Sequence, residues 1–111
     1  MDNDLEAVRK RLHSFSETRD LRKTHSPRNF ALALAGEAGE LCAELQWIPD
    51  DKVAEHLLDP AAHGRLADEV ADVFIYLFQF AEVCGIDLLQ ATNNKIDRNE
   101  NRYPVSIHRD E

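Results

Sequence analysis

Apolar residues recur at spacings of three and four along most of this chain, and nowhere in the alternation that a half-buried strand requires. Four glycines and four prolines in 111 residues leave few breaks in that pattern. The chain therefore reads as all-α. Its length suffices for one hydrophobic core and falls short of two ordinary domains, so residues 1–111 form a single domain. The expected architecture is a four-helix bundle-like arrangement with one short accessory helix.

The punctuation sets the helices. A first helix is expected from about Asn3 to Thr18, with Leu5, Val8, Leu12 and Phe15 on one stripe, followed by a polar connection from Arg19 to His25. Ser26-Pro27 starts a second helix, because the serine hydroxyl can accept from freed amides and proline is pre-set for the first helical position. That helix is expected to reach Trp47, where Pro49-Asp50-Asp51 closes it. A short amphipathic helix (Val53, Ala54, Leu57, Leu58) follows. Asp59-Pro60 repeats the start signal, while His63-Gly64 leaves open a start nearer Leu66 for the third main helix, which ends at Cys84-Gly85. Asp87 can cap a last helix through about Asn101, and Tyr103-Pro104 must break it, leaving residues 104–111 as a loose tail.

Thirteen basic against 21 acidic side chains give a net charge of −8, which argues against binding nucleic acid without regard to sequence. No apolar run approaches the roughly 20 residues of a membrane span, and the first 25 residues form no signal-peptide block, so a cytoplasmic protein with no membrane partner is expected. Cys42 and Cys84 lack CxxC spacing and sit in apolar helical patterns, as reduced core residues do.

Two acidic pairs carry the chemistry. Glu37 and Glu40 stand three apart in EAGE, Glu69 and Asp72 three apart in EVAD, and residues at that spacing share a helix face. The faces continue as Phe30, Ala33, Glu37, Glu40, Glu44 and as Glu69, Asp72, Tyr76, Phe80, both partly apolar. One acidic pair is ordinarily solvated surface. Two pairs in the two most apolar helices would repel each other without a cation, and carboxylates are the ligands of a hard ion, Mg²⁺ or its substitute Mn²⁺. A di-iron carboxylate site would place a histidine three residues after a glutamate, whereas positions 40 and 72 hold Glu and Asp. Gly36 and Gly39, each unfavourable in a helix interior by about 1 kcal/mol, leave room beside the first pair for a substrate or for a packed helix.

Trp47 and Tyr76 each lie seven residues beyond an acid, about 10 Å along the helix, a fitting separation between phosphates on metal and a base on an aromatic face. Tyr76 could equally be a core residue; Trp47, next to the helix end, is the better base-stacking candidate. Lys95, Asn99 and Arg102 share one face of the last helix and could hold phosphate oxygens, or could simply complement the helix dipole. His25, Arg28 and Asn29 form a weaker polar group, Arg28 being a further phosphate candidate.

The run His25-Ser-Pro-Arg-Asn, then GEAGELCAELQW (Gly36 to Trp47), DEVADVFIYL (Asp68 to Leu77) and KIDRNENRYPV (Lys95 to Val105) resembles the MazG-like all-α nucleotide pyrophosphohydrolases, nearest their dCTP pyrophosphatase branch. The resemblance runs from about Leu12 to Ile107, and its specificity lies in ExxE and ExxD with 28 residues between them together with the RYP ending. It implies Mg²⁺ on Glu37, Glu40, Glu69 and Asp72, cleavage between the α- and β-phosphates of a nucleoside triphosphate, and a base held by aromatic and histidine side chains, with Trp47 and Tyr76 at matching positions and His13 or Phe15 matching after a one-residue gap. It further implies a homodimer or dimer of dimers with sites near subunit interfaces. Leu21 departs from the branch, where a tryptophan follows Arg-Asp.

The expected reaction is Mg²⁺-dependent hydrolysis to monophosphate and pyrophosphate, with dCTP or a modified dCTP as substrate and dUTP or a broad set of damaged triphosphates as the rival. Glu40 is the first candidate for the base that accepts a proton from water and Glu37 the second; spacing does not decide between them. A nucleotide-binding module that keeps the metal without turnover, and a purely structural helical protein, are the competing classes.

Overall fold

The computed structural model describes residues 4–18 and 26–105. Five α-helices follow in order: α1 (Leu5–Thr18), α2 (Pro27–Ala43), α3 (Val53–His56) after a 3₁₀ turn at Asp50–Lys52, α4 (Pro60–Val83) and α5 (Leu88–Arg102). Among the described residues there is no strand, as the apolar spacing requires. The expected connection at 19–25, with Leu21 and His25 in it, and the end of the tail at 106–111 lie outside the described residues.

Three helix starts are capped by a side chain. Asp4 Oδ1 accepts from the Ala7 amide at 2.7 Å, Ser26 Oγ from Asn29 at 3.1 Å and Asp87 Oδ1 from Gln90 at 3.0 Å, satisfying amides that the first turn leaves unpaired. α4 begins at Pro60, so the earlier of the two start signals is used, and its 24 residues run through Gly64 without a break. α2 ends at Ala43 rather than Trp47. Beyond it the amides of Leu45 and Ile48 bond to carbonyls three residues back, so the chain keeps turning in a tighter coil until Pro49 forbids helix.

At the end of α4, Gly85 adopts φ +68°, the Ile86 amide bonds to Ala81 O at 2.8 Å and the Gly85 amide to Glu82 O at 3.2 Å. This left-handed cap with its two backward bonds satisfies carbonyls that the last turn would orphan.

α2 and α4 form an antiparallel pair and make the largest helix–helix contact in the molecule. Among the described residues Phe30, Ala62, Phe78 and Ala81 are the buried apolar ones; Phe30 meets Tyr76 edge-on at 6.4 Å, and Phe74 meets Phe78 at 4.8 Å. α1 lies across α4 through fewer contacts. Arg9 donates to Glu82 at 2.8 Å and to Glu6 at 2.6 Å, and buried Ser16 accepts from Gln79 Nε2 at 3.0 Å. α5 packs little on the rest of the protomer; all of its side chains but Leu88 are exposed. Cys42 and Cys84 are free, as expected, but exposed rather than in the core.

Candidate metal and nucleotide site

Antiparallel pairing of α2 with α4 brings the acidic faces together at mid-helix. Glu37, Glu69 and Asp72 each offer a carboxylate oxygen such that the three atoms lie within 4.8 Å of one another, and all three side chains are half-buried. Glu40 is exposed and stands outside that trio, yet its charge still acts on Glu69, as do those of Asp72, Glu37 and Glu44. Loss of hydration and then these like charges raise the Glu69 carboxyl above its ordinary value. Glu69 Oε2 is buried and has no hydrogen-bond partner among the described residues.

An orphaned oxygen amid converging carboxylates is an unfavourable arrangement that a cation would relieve. The donor set also fits a hard divalent ion, being all oxygen with neither imidazole nor thiolate. Glu44 reaches the same region from the end of α2, where Arg65 Nε donates to its Oε1 at 3.3 Å. Glu44 shares the acidic face in the sequence but belongs to neither ExxE nor ExxD. Arg65, one turn before Glu69, carries no motif signal at all; only the pairing of the two helices brings it here.

One helical turn beyond Asp72, Tyr76 faces an apolar cavity of about 410 Å³ shared with Phe15, Val8, Leu12 and Gln79. Two of the aromatic candidates for base contact, Phe15 and Tyr76, thus line one space beside the acids. His13 lies in a different crevice with Ser16 and Phe30, its Nε2 3.5 Å from Glu17, and Trp47 is 84% exposed beyond the end of α2.

Within the protomer the basic candidates stand apart from the acids. Lys95, Asn99 and Arg102 lie on exposed α5, where Arg102 stacks at 5.5 Å on Tyr103, and Arg28 is exposed at the start of α2. Among the described residues nothing approaches within 4 Å of a Cβ placed on Gly36 or Gly39, so the room beside them is not taken up by another described helix of the same protomer.

A model of the MazG-like family matches residues 33–111, which include both acidic pairs. Over 106 residues, 95% of the chain, the sequence is 43% identical to dCTP pyrophosphatase 1 of Bos taurus and 42% identical to that of Homo sapiens. The chain spans 62% of the length of each of these relatives. A solved pyrophosphatase from Archaeoglobus fulgidus DSM 4304 superimposes with a TM-score of 0.83 at 31% identity, covering 95% of this chain and 96% of that one.

Proposed function

Since this chain belongs to the MazG-like family, we propose that it is a Mg²⁺-dependent pyrophosphohydrolase converting nucleoside triphosphates, dCTP or a modified dCTP foremost, to monophosphate and pyrophosphate. The observation that carries the reading is the trio Glu37, Glu69 and Asp72 with its unpaired buried oxygen, set beside the Phe15–Tyr76 cavity. The names of the relatives supply the substrate class.

In this proposal Glu37, Glu69 and Asp72 hold the ion, with Glu40 joining them at the solvent edge. Bound there, Mg²⁺, or Mn²⁺ in its place, neutralises phosphate charge and makes a nearby water more acidic. The residues of the chain do the rest. Glu40, more exposed than the other three, is free to accept the proton of the attacking water, with Glu37 as the second candidate. Phe15 and Tyr76 flank the base in a largely apolar space that opens to solvent.

We further propose that the chain works as a homodimer or a dimer of dimers. Leu32, Leu58 and Val70 are each more than half exposed, and α5 has an apolar side without a partner, so a second copy supplies the missing cover. Such a partner can also bring Lys95, Asn99, Arg102 or Arg28, together with Trp47 or His13, to the nucleotide.

Pyrophosphate release from dCTP, 5-modified dCTP, dUTP and the ribonucleotides, with Mg²⁺ and with EDTA, tests the reading. Metal-dependent release with cytosine substrates ahead is expected, and E69Q and E40Q should each abolish turnover while keeping the helical circular dichroism. Tight nucleotide binding without turnover of any substrate would replace the enzyme by a binding module.

A further inference from the structure

The geometry points to Arg65 as the side chain that receives the distal phosphates of the substrate, held until then on Glu44. The inference rests on the nucleotide reading above and deepens it by naming what measures the length of the phosphate chain.

α4 carries Arg65, Glu69, Asp72 and Tyr76 at spacings of four, three and four, so the four side chains follow one another along a single face of a continuous helix. An aromatic ring stands at one end, acids in the middle and a guanidinium at the other end. Arg65 is one turn, about 6 Å along the axis, from Glu69, a reach that linked phosphates span when the first of them lies at the acids. A nucleotide laid with its base at Tyr76 therefore extends its phosphate chain toward Arg65.

The state of Arg65 suits that role. Among the described residues only its Nε is engaged, at 3.3 Å from Glu44 Oε1, and the side chain is 56% exposed. Both Nη groups remain available for a forked contact with phosphate oxygens. Among the described residues Arg65 is the sole cation paired with one of the acids around Glu69. An ion pair this open to solvent contributes little to stability, so it can exchange its partner at small cost. Glu44 ties the guanidinium to the seam between α2 and α4 and competes with the incoming phosphate.

Calorimetric titration with an α,β-imido triphosphate and with the monophosphate, both in Mg²⁺, tests this. Arg65→Gln should weaken triphosphate binding about tenfold, the loss of one charge-assisted contact, and leave monophosphate binding within twofold of wild type. Arg65→Lys should recover part of the loss. Glu44→Gln should hold or improve triphosphate affinity, opposite in direction to Arg65→Gln; a merely structural pair would give two variants that lose stability together and bind both ligands alike. Equal triphosphate affinity in wild type and Arg65→Gln overturns the assignment while leaving the enzyme reading intact, provided wild type releases pyrophosphate. Wild type that neither binds nor cleaves the triphosphate overturns both.

Discussion

Glu69 is half-buried, leaves one oxygen without a partner, and faces Asp72, Glu40, Glu37 and Glu44. Burial first and those charges second lift its carboxyl above the ordinary 4.5. A carboxyl whose value is higher in the folded than in the unfolded chain favours the fold below the unfolded value, and that contribution is lost as pH rises through the folded one. In EDTA, Glu69→Gln should therefore melt progressively above wild type as pH is raised from 4.5. With Mg²⁺ the order should reverse, because only wild type gains the ion. A Glu69→Gln protein that melts below wild type in EDTA at neutral pH would show that the acids are not in conflict. Gly39 gives a second test at this scale. Nothing lies within 4 Å of a Cβ there, so Gly39→Ala should raise stability by about 1 kcal/mol in urea unfolding. If turnover falls as stability rises, a substrate or second copy approaches that backbone. The sequence made the four acids legible as two pairs on two faces. It could not grade them, because spacing along a helix says nothing of depth, and only the crossing of α2 with α4 leaves Glu40 outside while Glu37 turns inward.

The elements were readable where side chains act on their own backbone. Ser26-Pro27 and Asp87 start helices as their chemistry requires, and Gly85 ends one. The end of α2 was not, because Leu45 to Trp47 keep helical spacing while the amides of Glu44, Leu45 and Ile48 shift to bonds three residues back. The start of α4 was left open by Gly64, whose unfavourable propensity is overridden once the whole helix is laid against α2. At Gly85 the left-handed backbone, rather than any contact, sets the residue: Gly85→Ala meets no atom within 4 Å and should still lose about 1 kcal/mol. Urea unfolding measures it, and an unchanged midpoint would mean that the cap relaxes. The docking of α1 depends on Ser16. Ser16→Ala removes the acceptor for Gln79 Nε2 in a half-buried place and should cost about 1 kcal/mol, with faster amide exchange in α1 than in α2.

At the scale of the molecule, four buried apolar residues among those described make a small core, while large apolar side chains stay open on α1, α2, α4 and α5. Self-association should therefore contribute to stability, and the melting temperature should rise with protein concentration. A midpoint independent of concentration over a hundredfold range, with a monomeric sedimentation coefficient, would rule this out. Amphipathic stripes are visible in sequence, but a stripe does not say whether its cover comes from the same chain or another; α5 has the pattern of a packed helix, yet among the described residues it packs little on any other helix.

The proposed metal-binding carboxylates belong to the second half of α2 and the middle turns of α4, and the stretch from Glu44 to Asp59 that joins these two rods supplies none of them. Lengthening or shortening that joint changes how the chain travels between the rods without changing which turns lie side by side. A chain with residues added to or removed from that joint should keep its acids face to face as long as each motif keeps its internal count.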